Sequence, residues 1–412
     1  MKLLTVTAAG LAVTAAMPVA ASRIPSAPEA SAAAAPQAQA GANQVRASKE
    51  ALKAIVELQT AVTSNNRAEI ATKAAAAQAV AKTKEDRYLI GQLQLKAAIA
   101  ANDVAAMSAA VNSVAASGYL DAARTAELYR SLGAKLVNDK QYGQGAAMLE
   151  KAAALTPADT QLLMSIADVR MVEGRKGDAA AIYDRLIKAR QAAGQKPEEA
   201  LYKRAVQAAY DAQMPSVNAL AKQWVTAYPS AESWRNSIGV YRNQAKPDLE
   251  GTLDLLRLMH ATGSLTRSSD LGLYVRILAD SGNFIEAQRV LDGVAAGGEI
   301  DAAGLQSLKS TVASKPKVSV AELDAAAKSA QSGMALLRIG DRYYGLGEYA
   351  KAADTYRTAK ARGAEAGLAD LRAGIAAARA GDKAGATAAL NGVSGQRAGV
   401  AQYWLLHLQN RG

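Results

Sequence analysis

The chain has 412 residues, 50% of them hydrophobic, with 32 Gly, 10 Pro, no Cys, two His and a formal charge of +11. A chain of this length buries a large core without disulfides, and with no Cys and only His260 and His407 it excludes a thiol nucleophile, a cysteine-held zinc and an iron–sulfur cluster. Apolar content dominated by Ala, with 15 Tyr against 1 Phe, favours helices over strands and predicts an all-α protein that needs no cofactor.

Residues 1–21 read as a secretory signal peptide. Lys2 precedes an apolar run that stops at Pro18, and Val19 and Ala21 are the small residues that precede cleavage. The run falls short of the ~20 residues a spanning helix requires, and no Cys follows it, so a lipoprotein is excluded and a periplasmic or secreted product is expected. Residues 22–46 are rich in Ala, Pro and Gln. Pro25, Pro28 and Pro36 interrupt any continuous helix, which predicts a disordered spacer.

From Ala47 onward apolar residues recur at helical spacing, broken every dozen or so residues by Gly, Asn, Asp or Pro. A period of 34 carries Gly340 to Gly374, Gly347 to Gly381, Ala352 to Ala386 and Tyr356 to Leu390. Small residues such as Gly133, Ala167 and Gly340 are expected where two antiparallel helices cross. Gly174, Gly282, Gly347 and Gly381 are expected to end first helices, because glycine adopts the left-handed cap without steric cost. Gly340, Tyr343, Gly347, Tyr349, Ala352, Tyr356 and Ala359 form one copy of a pattern. Tyr129, Leu132, Gly133, Leu136, Tyr142, Gly145, Leu149, Ala152 and Pro157 form another. The pattern resembles the tetratricopeptide repeat family. That resemblance implies a right-handed α-solenoid of antiparallel hairpins, with a helical array over 47–314, a hinge or turn at 315–319 around Pro316, and C-terminal repeats with a capping helix over 320–412.

The usual catalytic signatures are absent, and acidic pairs such as Glu198-Glu199 stand at helix starts where they complement the dipole. The expectation is therefore a protein without enzymatic activity. Repeats of this kind bind along a groove lined by their first helices. The resemblance places Arg130, Asn138, Met164, Asp168, Met171, Tyr202, Tyr210, Arg276, Asp341 and Tyr344 there as exposed side chains. Tyr, Met and Arg are types enriched at binding hot spots. The expected role is an exported scaffold for protein partners in the cell envelope, within an assembly, secretion or polysaccharide export machine. The alternative is a module that binds carbohydrate or an anionic polymer such as peptidoglycan through a basic, Tyr-rich groove. Spread-out Lys and Arg without a dense basic helix make nucleic acid a poor fit.

Overall fold

A computed structural model of the chain describes residues 45–294, 301–315 and 317–410. The signal peptide and all but the last two residues of the spacer lie outside the described residues. Those described are helical and contain no strand. They form two compact units, divided between Leu186 and Ile187.

The first unit holds α1 (Lys49–Thr63), α2 (Arg67–Val80), α3 (Lys84–Ala101), α4 (Val104–Ala116), α5 (Ala122–Asn138), α6 (Tyr142–Leu155) and α7 (Thr160–Val172), and the boundary falls inside α8 (Lys176–Ala192). Asp103, Asp121 and Asp159 start α4, α5 and α7, each accepting a hydrogen bond from a backbone N–H of the first turn. At the other end Asp86 is fully buried and accepts from the Ser48, Lys82 and Thr83 backbones and the Ser48 hydroxyl. Burial opposes ionisation of Asp86, but these donors outweigh it and hold its carboxyl down at about 2. One side chain thereby ties the start of α1 to the start of α3.

The second unit continues with α9 (Glu199–Asp211), α10 (Val217–Ala227), α11 (Ala231–Ala245), α12 (Leu249–Ala261), α13 (Ser268–Asp280), α14 (Phe284–Gly293), α15 (Ala302–Ala313), α16 (Val320–Ser329), α17 (Gly333–Leu346), α18 (Tyr349–Ala361), α19 (Ala366–Ala380), α20 (Lys383–Asn391) and α21 (Ala398–Asn410). Gly347 and Gly381 close α17 and α19 at φ +86° and +88°, the left-handed caps that the period of 34 marks.

The helix crossings follow the same register. A Cβ at Gly133 would stand 2.8 Å from Leu149, one at Gly374 2.7 Å from Leu390, and one at Gly340 2.5 Å from the Tyr356 ring. In each case the partner lies sixteen residues on, across the hairpin turn. Tyr356 is fully buried and its hydroxyl donates to Asp341, so its ring has little room to yield even to an alanine at Gly340.

Two features depart from a linear array. The segment 315–319 connects α15 to α16 inside the second unit, and a single core of buried residues runs from Val225 to Leu408 across it, so it does not separate two stacks. The last helix is also not an end cap. Tyr403 and Trp404 of α21 are fully buried. The Tyr403 hydroxyl lies 2.7 Å from Asn218 Oδ1 and 2.9 Å from the Ser237 carbonyl, and the Trp404 indole donates to the Asp254 carbonyl at 3.0 Å. The chain end thus returns to α10, α11 and α12. Within α12 every residue from Leu253 to Met259 is buried, the pattern of a helix enclosed on all sides.

Candidate partner-binding groove

Around α12 the enclosed side chains include charges. Arg257 donates from Nε and Nη2 to the two oxygens of Glu286, both at 2.8 Å, and reaches Asp254 at 3.1 Å and Asp341 at 3.2 Å. Arg372 donates to Asp341 at 2.9 Å, lies 3.5 Å from Asp254 and pairs with Glu250. Tyr274 donates to Glu286 and Tyr356 to Asp341, while the Arg257 guanidinium sits 4.3 Å from the Tyr344 ring centre. Burial pushes the Asp254 carboxyl up, against the pull of Arg372 and Arg257, and Asp254 Oδ2 has no hydrogen-bond partner. Burial likewise raises the Tyr274, Tyr344 and Tyr356 hydroxyls. These groups join α12, α13, α14, α17, α18 and α19 through charge-assisted bonds in a buried interior, with Asp254 Oδ2 left unmet.

Burial corrects three of the expected groove residues. Asp341 and Tyr344 are buried because they face Arg257, and Tyr202 is buried with its ring edge against Tyr228 and its hydroxyl accepting from Gln191. None of the three is an exposed contact residue. In the first unit Arg130 is half-buried and pairs with Asp159 at the start of α7, and Asn138 is exposed at the end of α5. Met164, Asp168 and Met171 share one face of α7. The methionines are half-buried, and Asp168 is exposed and accepts from the Tyr183 hydroxyl at 2.6 Å.

The second unit also holds a groove, which neither of the remaining two residues, Tyr210 and Arg276, lines directly. A cavity of about 510 Å³ opens between α11 and α13 over the two ends of α12. Arg235, Gly239, Arg242 and Asn243 line it from α11, at the four- and three-residue steps that keep them on one helix face. Asp270 and Leu273 line it from α13, and Leu249 and Met259 from α12. Lys246 stands at its rim, held at φ +44° where Pro247 prevents α11 from continuing. Arg267 adds a fourth cation, against the single carboxylate of Asp270. Arg242 donates to Asp270 at 2.7 Å and Arg235 to the Thr266 hydroxyl at 2.7 Å, so both guanidiniums are held in place. Leu249 is 69% exposed, an unusual apolar surface at such a basic rim.

Tyr210 is exposed on α9, and its hydroxyl accepts from Asn243 at 2.8 Å, which extends the groove to a third first helix. Arg276 is exposed on α13, three residues beyond Leu273. The sequence reading missed Arg235, Arg242, Lys246 and Arg267. A signal was present in the two-turn spacing of Arg235 and Arg242, inside a copy too degenerate to give the helix phase.

Three hairpins, α5–α6, α17–α18 and α19–α20, share one crossing geometry. A small residue on the first helix meets a large one sixteen positions on, and a left-handed residue turns the chain between them. These hairpins are similar to those of a tetratricopeptide-type repeat. No family model and no curated protein matches the chain. Among solved structures it is similar to a tetratricopeptide repeat protein from Parabacteroides merdae, at 10% identity and a TM-score of 0.30, over 70% of this chain and 99% of that one. It is also similar to the TPR2AB domain of yeast Sti1 in a pHSP90 complex, at 11% identity and a TM-score of 0.25, over 70% of this chain and 96% of that one. A third is PilF of Pseudomonas aeruginosa, at 10% identity and a TM-score of 0.24, over 64% and 97%. No helix among the described residues is long and apolar enough to cross a membrane.

Proposed function

We propose that this protein is a non-catalytic scaffold whose second unit binds an extended protein segment across α9, α11 and α13. The observation that carries the reading is the groove itself. Four cations, the exposed Tyr210 ring and the exposed Leu249 side chain stand together, whereas the buried carboxylates around α12 are locked to arginines. Tyr and Arg beside an apolar anchor suit a polypeptide that carries acidic side chains. The same excess of cations favours the second reading, an anionic polysaccharide. Capture of the ligand by crosslinking in intact cells, followed by titration at increasing salt, distinguishes them. A protein partner retained at moderate salt is the expected result. Binding to peptidoglycan or polysaccharide that collapses with salt, with no protein captured, supports the second reading.

The proposed setting is the cell envelope, reached by export under the signal peptide, with the mature chain periplasmic or secreted and serving an assembly, secretion or polysaccharide export machine. Cleavage after Ala21 would leave Ser22 as the mature N-terminus. Mass spectrometry of the native protein should find that N-terminus, and an intact Met1 would refute export by cleavage.

A further inference from the structure

The first turn of α14 is left uncapped. Its first backbone bond runs from Ala287 N–H to the Asn283 carbonyl at 3.2 Å, so the N–H groups of Phe284, Ile285 and Glu286 have no intrahelical acceptor. At the start of α20 the Asp382 side chain accepts from Gly385 N–H at 2.8 Å. At α14 the corresponding residue is Asn283, and its side chain makes no such bond. Asn283 is only 5% exposed, and its side chain has no hydrogen-bond partner among the described residues, although a buried carboxamide ordinarily has one.

What Asn283 faces is a second cavity, of about 270 Å³, lined also by Phe284, Ile285, Lys317 and Arg342. Lys317 and Arg342 are exposed, and neither forms an ion pair among the described residues. Glu286 and Asp341 also border this space. Glu286 has both oxygens on Arg257 and Asp341 has its two on Arg257 and Arg372, so their charge is already met from the opposite side. Free backbone donors at a helix start, an unpartnered buried amide and two unpaired cations converge on one small space. We propose that this cavity binds an oxyanion: a phosphate, sulfate or carboxylate group, held by the α14 N-terminus and Asn283 and neutralised by Lys317 and Arg342. This site lies on a second helix and is independent of the groove between α11 and α13.

The test is calorimetric titration of the full chain with inorganic phosphate, sulfate, acetate and glycerol phosphate, each at ionic strength matched with chloride. Binding of at least one oxyanion is expected, and the ranking of the four identifies the group and whether a free ion or an ester is taken. Asn283→Asp is close to isosteric and is a residue type tolerated at a helix start, so it should leave the fold intact, yet it places a negative charge where the ligand sits, so binding should be lost. Lys317→Ala with Arg342→Ala should weaken binding about tenfold or more, as expected on removal of two charge-assisted contacts. Circular dichroism verifies that each variant is folded. No oxyanion binding beyond the chloride control, or binding unchanged in either variant, would overturn the proposal.

Discussion

Arg257→Met is expected to destabilise the second unit by about 3–5 kcal/mol, the cost of leaving buried carboxylates without their cation. Arg257 is 1% exposed and is the only guanidinium that reaches Glu286, Asp254 and Asp341 together among the described residues. Methionine matches its length and keeps the packing, so the loss would report charge and hydrogen bonds rather than a cavity. The pH dependence follows from sign. Asp254 is already raised above its ordinary value by burial, and without Arg257 it would rise further. A carboxyl whose folded value exceeds its unfolded value costs stability as pH rises through that interval. The gap between variant and wild type should therefore widen from about pH 4 upward and narrow below it. Urea unfolding at several pH values measures this, and equal midpoints at neutral pH would show that the network is dispensable.

Removal of α21 by truncation after Arg397 should disrupt the second unit far beyond its last hairpin. In a linear array a terminal helix covers only its neighbour. Here Tyr403 bonds to Asn218 and Ser237, Trp404 to Asp254, and Asn410 to the Val225 carbonyl, each more than a hundred residues away in the chain. Trp404→Ala alone should cost about 3–5 kcal/mol, the usual range for emptying a fully buried indole site. Hydrogen exchange locates the damage. Protection should fall across α10, α11 and α12 in the truncated chain, and protection lost only in α19 and α20 would restore the simple capping picture.

The hairpins, their glycine caps and the small-to-large crossings were legible in the sequence because each is a local rule. Gly340 to Tyr356 and Gly347 to Gly381 follow directly from spacing. Closure of the second unit was not legible by the same means. It depends on contacts such as Arg372 to Asp254, across 118 positions, and a charged residue on a helix is ordinarily read as solvent-facing. The run from Leu253 to Met259 did carry a hint, since five large apolar residues surround Asp254 and Arg257 with no polar face. Tyr202, Asp341 and Tyr344 were misplaced for a related reason. The resemblance gives the helix that holds a residue, while a returning helix or a neighbouring arginine decides whether its side chain reaches solvent. Tyr210 and Arg276 fall where no such element covers them.

The central claim is that the first helices of the second unit bind the partner, and a titration of the captured partner against charge-reversed groove variants tests it most directly. Lys246→Glu alters an exposed side chain at the rim, Arg276→Glu an exposed one three residues beyond Leu273 on α13, and Tyr210→Ala removes the exposed ring beside Asn243. At a binding hot spot the loss is about 2 kcal/mol or more, so at least one variant should bind roughly thirtyfold more weakly. Lys383→Glu, exposed at the start of the second helix α20, should bind as wild type does. Equal affinity across all four variants, with helicity unchanged, would contradict the groove assignment.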